Sequence, residues 1–114
     1  MPCPELTFAG FKRSPRAKQE YDTPDYRRHC RQIALSTASM LKEFVKGKVD
    51  LVALLGIKNS PSCSVGNSKN GTGILMEELF DEIKASDIHL ATRSVDVSGS
   101  VTDVEWLRRA LSTV

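Results

Sequence analysis

The chain has 114 residues, which is the length of one domain, residues 1–114, with a single hydrophobic core. A net charge of +2 says little about a partner. Aromatic residues make up only 6% of the chain, so we expect no base-stacking platform and no nucleic-acid partner. No apolar run is long enough to span a bilayer and no signal peptide is visible, so we expect a soluble, cytoplasmic protein without a membrane partner.

The first sustained pattern is a helix predicted over residues 24–46. Thr23 is a good N-cap and Gly47 suits the position after the last turn. Residues 1–22 show turn formers and charges without a period, so we expect irregular structure there, with a short turn near Phe8–Phe11. Side chains repeat along the helix at three- and four-residue spacing, which predicts one buried face. That face consists of Tyr26, Cys30, Ile33, Thr37, Leu41 and Phe44.

Two apolar segments predict strands. Residues 49–57, VDLVALLGI, are apolar almost throughout, which is typical of a strand buried on both faces of a parallel sheet. Residues 88–97, IHLATRSVDV, predict a second strand. A helix is predicted to begin near Gly73 between the two strands. Its predicted apolar face consists of Ile74, Leu75, Leu79 and Ile83, with Phe80 beside it.

A last helix is predicted at the carboxyl end of the chain. Thr102 and Glu105 have the spacing of a capping box, T-x-x-E. The predicted apolar face consists of Val104, Leu107, Ala110 and Leu111, with Trp106 nearby. We expect both Trp106 and Met76 to be core or interface residues.

The order helix, strand, helix, strand, helix predicts right-handed crossovers around a small, mostly parallel sheet. The expected fold is therefore a Rossmann-like, three-layer α/β/α sandwich that lacks an N-terminal strand. Two strands are few for such a sheet, so we expect that an N-terminal part is absent or that a partner chain completes the sheet. An exposed sheet edge also predicts a homo-oligomer.

The loop at residues 58–72 follows the first predicted strand and therefore lies at the carboxyl ends of the strands, where ligands bind in parallel α/β sheets. It contains Cys63 together with Ser60 and Ser62, and it leads into a helix N-terminus, which would favour an anion or lower the pKa of a thiol. No P-loop sequence is present, so the indication for phosphate is weak. The alternative is a glycine-rich connection with an incidental cysteine.

The other two cysteines have different settings. Cys3 lies between two prolines, which would present its sulfur on a stiff backbone, although a frayed terminus with an exposed thiol is the alternative. Cys30, on the buried helix face, is expected to be a small core residue. Three cysteines do not form a disulfide framework, which leaves free thiols or metal ligands. His29 and His89 have no ligand-like spacing and are expected on a helix surface and in the sheet.

Four segments occur in an order that resembles a known family. They are CPELTFAGFKR at 3–13, YDTPDYRRHCR at 21–31, SPSCS at 60–64 and GILMEEL at 73–79. Together they resemble the thiouracil desulfurase family, and most closely its shorter desulfidase relatives. The resemblance covers about residues 2–85. Each segment is unspecific alone, whereas the combination is fairly specific.

The resemblance implies a function. In that family a three-layer α/β domain holds a [4Fe–4S] cluster on three cysteines, and the remaining iron takes sulfur from a thiolated base as hydrosulfide. Cys3 and Cys63 match two of the family's cluster ligands, with soft thiolates that suit iron–sulfur. Glu5, Ser60 and Ser62 match polar positions beside them and could protonate or orient a small thiolated substrate. We expect the two cysteines to meet in one cleft.

Two departures from the family leave an alternative open. The family's first cysteine, which follows an N-terminal strand, has no counterpart in this chain, and Ser64 stands where the family has glycine. Cys30 could replace the missing ligand only if its helix directed it toward the loops. The alternative function is a non-catalytic small-ligand or nucleotide-binding α/β module with free cysteines.

Overall fold

A computed structural model of the chain describes residues 1–10, 18–66, 71–96 and 100–112. The described residues form a mixed α/β fold of helices and a small parallel sheet of two strands. The elements are α1 (Pro4–Ala9), α2 (Lys18–Tyr21), α3 (Pro24–Lys46), β1 (Ala53–Ile57), α4 (Ile74–Ala85), β2 (Ala91–Val95) and α5 (Val101–Ser112). The predicted parallel pairing is confirmed, while two short helices precede the predicted series.

No helix in the described ranges combines the length and the apolar character that a membrane crossing requires.

The prediction of irregular structure over residues 1–22 is wrong for α1 and α2. Helix α1 begins with Pro4 at its first position and ends at Gly10, whose φ of 84° suits a residue without a side chain. Six residues are too few to show a helical period. Helix α1 is instead held by packing on α3, where the ring of Phe8 meets Tyr26 edge-on at 5.1 Å. The expected turn near Phe8–Phe11 falls partly outside the described residues.

Helix α3 has the predicted bounds and the predicted cap, because the Thr23 hydroxyl accepts a hydrogen bond from the Tyr26 N–H at 3.2 Å. Its predicted buried face is confirmed from Tyr26 to Thr37, but Phe44 is exposed. The reason is length: the 23 residues of α3 span about 35 Å, whereas the 12 residues of α4, against which it packs, span about 18 Å. The residue with positive φ after the helix is Lys48, one position beyond Gly47.

The two strands are shorter than predicted and pair in parallel, with Leu55 opposite Arg93. The prediction that the first strand is buried on both faces is wrong. Leu54 packs against the helical core and Gly56 is buried, but Leu55 is 42% exposed and Ile57 is 46% exposed. Since alternate residues of a strand point to opposite faces, the core covers only one face of β1 among the described residues.

Helix α4 begins after Gly73 as predicted and buries the predicted residues Ile74, Leu75, Leu79 and Ile83. Met76 is buried as well, which confirms its prediction as a core residue. Full burial of a leucine such as Leu79 stabilises the fold by about 1.5–3 kcal/mol relative to exposure. The packing of α4 on α3 therefore forms the centre of the core and holds the loop that enters α4.

Helix α5 starts one residue before the predicted capping box. The Asp103 N–H lies 3.5 Å from the hydroxyl of Ser100, which makes Ser100 the capping residue in place of Thr102. Asp103 is buried because its carboxylate accepts hydrogen bonds from the Arg93 side chain at 2.7 Å and from the Asp96 N–H at 3.0 Å. This ionic contact with β2 orients the helix.

The predicted apolar face of α5 is wrong for Val104 and Leu111, which are exposed. Trp106 is half-buried, and its ring lies beneath the Arg93 guanidinium at 5.8 Å from the ring centre. His89 was expected in the sheet, but it precedes β2 and is exposed beside Asp87.

Candidate functional site

Cys63 belongs to a short loop, residues 60–65, that is tied to both neighbouring elements; we call it the cysteine loop. The Cys63 carbonyl accepts a hydrogen bond at 2.8 Å from the N–H of Ile57, the last residue of β1. The Ser64 carbonyl accepts one at 2.7 Å from the N–H of Gly73, the N-cap of α4. The thiol is therefore held at the carboxyl end of the sheet, where parallel α/β folds place their ligands.

Two glycines allow the cysteine loop to approach β1 and α4 this closely. A Cβ atom on Gly56 would lie 2.4 Å from the Cys63 carbonyl oxygen. A Cβ atom on Gly73 would lie 2.3 Å from the Ser62 carbonyl carbon and 2.7 Å from the Cys63 nitrogen. No side chain fits at either position unless the backbone of the loop moves, so these glycines fix where Cys63 lies.

The serine hydroxyls mostly stabilise the loop itself. The Ser60 hydroxyl accepts a hydrogen bond from the Cys63 N–H at 3.1 Å. The Ser64 hydroxyl lies 2.7 Å from the Ser60 carbonyl oxygen. Ser62 is fully buried, and its hydroxyl lies 2.6 Å from the hydroxyl of Tyr26. Of the two predicted serines, only Ser60 is partly exposed, so it is the one that a ligand could reach in this structure.

The loop carbonyls also occupy the first amides of α4. The Ile74 N–H donates to the Pro61 carbonyl at 3.0 Å, and the Met76 N–H donates to the Ser62 carbonyl at 3.2 Å. These amides are the groups with which a helix N-terminus binds an anion. Because the loop already uses them, the suggestion of a phosphate site at this helix end gains no support from the described residues.

Cys3 and Glu5 are brought to the same region by α1. Cys3 is the exposed N-cap residue of α1, and Glu5 lies in its first turn. Besides the Phe8–Tyr26 contact, α1 is held on α3 by a hydrogen bond of 2.6 Å between the Thr7 hydroxyl and His29 Nε2. We call residues 3–9, which are Cys3 and α1, the arm. The sequence alone did not indicate that the arm packs on α3.

The charges of Cys3 and Glu5 act on the Cys63 thiol. The pKa of the Cys63 thiol is raised to about 11, first by burial and then by the negative charges of Cys3 and Glu5, against a smaller opposite effect from its hydrogen bond with Ser60. Cys3 and Glu5 therefore lie within electrostatic reach of Cys63. The pKa of this thiol is therefore raised, not lowered as expected from the helix N-terminus, because burial and nearby negative charges disfavour the thiolate.

Cys30 lies on the inner side of the same cluster. It is fully buried, as expected of a core residue, and burial raises the pKa of its thiol to about 12. A hydrogen bond with Tyr26 lowers this pKa in part, and the charge of Cys63 raises it further. Helix α3 thus holds Cys30 within electrostatic reach of Cys63, although the burial of Cys30 removes its thiol from solvent.

The described donors do not by themselves fit a three-thiolate iron–sulfur cluster. All three cysteines are free thiols, with Cys3 exposed, Cys63 partly buried and Cys30 buried. In the ranges that the structure describes, no group of three or more His, Cys, Asp or Glu side chains is arranged to hold a metal ion. Only Cys3 and Cys63 are accessible, which is one thiolate fewer than the three that the resemblance implies.

Sequence reasoning missed the role of Tyr26, and it placed His29 on a helix surface without a partner. Tyr26 was assigned to the buried helix face, which is correct, but its hydroxyl also reaches the cysteine loop. A signal was available, since a tyrosine on a buried face needs a partner for its hydroxyl. His29 is partly buried and contacts both Thr7 and the ring of Phe8.

Comparison with known proteins shows a similarity to an uncharacterized protein. No family model matches the chain, and no solved structure matches it. The chain is similar to the uncharacterized protein MJ0003 of Methanocaldococcus jannaschii, with 38% identity over 88 residues. The aligned part is 77% of this chain and 54% of that protein. The chain therefore spans about half the length of the curated relative it matches.

Proposed function

We propose that this chain provides the thiol-bearing part of a desulfidase site that takes sulfur from a small thiolated compound, such as a thiolated nucleobase. The observation that carries the proposal is that α1, packed on α3, holds Cys3 and Glu5 within electrostatic reach of Cys63, which lies where β1 ends. These residues come from two segments that are far apart in sequence and that both belong to the resemblance with the thiouracil desulfurase family. A soft, partly exposed sulfur pair beside a carboxyl group suits a thiolated ligand better than a phosphate.

Each residue has a role in this proposal. Cys3 and Cys63 are the soft donors, and Ser60, whose hydroxyl accepts from the Cys63 N–H, orients the ligand beside them. Glu5 places a proton near the sulfur that leaves. Ser62 shapes the loop, since its buried hydroxyl is already paired with Tyr26. A [4Fe–4S] cluster would need a third thiolate besides Cys3 and Cys63, so we assign only binding and proton placement to this chain.

A second candidate is a non-catalytic small-ligand module with free cysteines. It is favoured by the raised pKa values of Cys63 and Cys30, which keep both thiols protonated at neutral pH. A protonated thiol is neither a nucleophile nor a metal ligand. In this case Cys63 would contact a ligand only as a small, weakly polar group.

Anaerobic reconstitution with iron and sulfide, in the presence of dithiothreitol as a substitute third thiol, separates the two candidates. The desulfidase proposal predicts a coloured protein that retains iron and sulfide after desalting and that loses both in Cys3→Ala and in Cys63→Ala. Cys30→Ala is the matched control, since it removes a thiol from the buried side, and it should retain iron. A colourless wild-type protein with three titratable thiols would favour the binding module.

Binding of 2-thiouracil and uracil, measured by calorimetry, tests the substrate class. The desulfidase proposal predicts that the reconstituted protein prefers the thiolated base and that Cys63→Ala abolishes this preference. Equal affinity for the two bases would contradict a site built for sulfur.

The finer architecture also belongs to the proposal. We infer a three-layer arrangement in which α3 and α4 cover one face of the sheet and α5 lies on the other. The packing of Leu54 against the helical core supports the first layer, and the Arg93–Asp103 ion pair supports the position of α5. The exposed Leu55 and Ile57 on β1 support the expected homo-oligomer, formed over this strand. Light scattering that gives a monomer mass at high concentration would contradict it.

A further inference from the structure

We propose that Tyr26 is a positioning residue that couples the arm carrying Cys3 to the loop carrying Cys63. Its ring holds α1 and its hydroxyl holds the cysteine loop, so one side chain sets the relation between the two thiols. This inference rests on the proposed function in that it treats the two thiols as parts of one site. Tyr26 itself touches no reacting atom in this assignment.

The ring of Tyr26 forms the contact with α1. It lies between the ring of Phe8, 5.1 Å away and edge-on, and the ring of Tyr21, 4.8 Å away. Phe8 belongs to the six-residue helix that begins directly after Cys3. Such a short helix is not stable alone, so its position depends on this aromatic packing and on the Thr7–His29 hydrogen bond.

The hydroxyl of Tyr26 forms the contact with the loop. It lies 2.6 Å from the hydroxyl of Ser62, and both residues are fully buried, with 0% exposure. Ser62 precedes Cys63, and its carbonyl oxygen accepts a hydrogen bond from the Met76 N–H, so the loop is tied to α4 at this residue as well. The same tyrosine hydroxyl also lowers the pKa of the Cys30 thiol in part, against the larger effect of burial.

The hydroxyls of Tyr26 and Ser62 are hydrogen-bond partners in a buried environment. Among the described residues no buried side-chain oxygen or nitrogen lacks a hydrogen-bond partner, and removal of the Tyr26 hydroxyl would take away the partner of the buried Ser62 hydroxyl. An unpaired buried hydroxyl is costly, whereas removal of both partners together is nearly neutral. A comparison of the variant that lacks one hydroxyl with the variant that lacks both therefore separates the effect of Tyr26 on the position of the thiols from its effect on stability.

The test measures the bridging of Cys3 and Cys63 by dibromobimane, which becomes fluorescent when it links two thiols, with mass spectrometry to identify the linked peptides. The probe requires neither iron nor substrate. Wild-type protein should form the Cys3–Cys63 bridge. Tyr26→Phe keeps the ring and loses the hydroxyl, and it should slow the bridging about fivefold, the factor that corresponds to one ordinary hydrogen bond.

Two further variants complete the test. Tyr21→Phe is the matched control, since it removes the hydroxyl from the adjacent buried tyrosine, and it should bridge like the wild type. The double variant Tyr26→Phe/Ser62→Ala removes both partners, so its melting temperature should return toward that of the wild type while bridging stays slow. If the double variant recovers bridging together with stability, Tyr26 is only structural and the inference is overturned.

The remaining outcomes are also decisive. Equal bridging rates in Tyr26→Phe and wild-type protein would overturn the inference, as would a wild-type protein in which Cys3 and Cys63 do not bridge. Slow bridging in Tyr26→Phe together with no binding of iron or 2-thiouracil by the wild type would support the coupling and remove the proposed function. The two proposals therefore fail in different measurements.

Discussion

Replacement of Gly73 by alanine tests how the cysteine loop is held. Gly73 has φ −71° and ψ 162°, which any residue adopts, so alanine brings no backbone strain. The added Cβ would instead lie 2.3 Å from the Ser62 carbonyl carbon, 2.4 Å from its oxygen and 2.7 Å from the Cys63 nitrogen. All three are backbone atoms, so the loop has to move away from α4.

The cost follows from these contacts. Overpacking of this kind destabilises a protein by about 1–3 kcal/mol, and three backbone contacts place Gly73→Ala near the upper end. Loss of glycine freedom in the unfolded chain returns about 0.4–1 kcal/mol. We therefore expect a net loss of about 2 kcal/mol in the free energy of unfolding, or a melting temperature lower by roughly 8–10 °C.

Equilibrium urea unfolding measures this loss, with Gly66→Ala as the matched control. A Cβ on Gly66 would meet no atom within 4 Å, so this variant should be as stable as the wild type or slightly more stable. Gly73→Ala should also expose the Cys63 thiol to alkylation. If the two alanine variants differ by less than about 0.5 kcal/mol, the close approach of loop and helix is not what holds the site.

Three further outcomes are expected. The pKa of the buried Asp103 carboxyl is lowered by its hydrogen bonds from the Asp96 N–H and Arg93. Its contribution to the free energy of unfolding is therefore present above the ordinary carboxyl pKa and is lost as the pH falls through the pKa of the folded state. An acid titration followed by circular dichroism should show less acid destabilisation in Asp103→Asn than in the wild type. Cys63, with a pKa of about 11, should react with iodoacetamide at pH 8 about tenfold more slowly than in the urea-unfolded chain. The fraction of thiolate is roughly hundredfold lower in the folded protein, but a thiolate of higher pKa is more nucleophilic and offsets part of this difference. Equal rates would contradict the burial of Cys63. Leu79→Ala removes a fully buried side chain and should cost about 2–5 kcal/mol in urea unfolding, whereas Leu35→Ala, at a position that is 45% exposed, should cost far less.

The long helices and the parallel pairing were determined by the sequence itself. Thr23 and the spaced apolar residues of α3 define a helix of 23 residues, and Gly73 with the following apolar run defines α4. These signals are local, because a cap and a 3.6-residue period need no information about distant segments. The same holds for the position of Cys63 after β1, since loop and strand are adjacent in the chain.

The assembly of the site was decided only by the tertiary structure. Helix α1 is too short for a period to reveal it, and its place is set by the contact of Phe8 with Tyr26, which lies 18 positions further along the chain. The exposed face of β1 likewise follows from which layers cover the sheet, and no strand sequence contains that information. The raised pKa of Cys63 also depends on the tertiary structure. The sequence around Cys63 indicates a helix N-terminus, whereas the burial of the thiol and the charges of Cys3 and Glu5 come from segments that only the fold brings together.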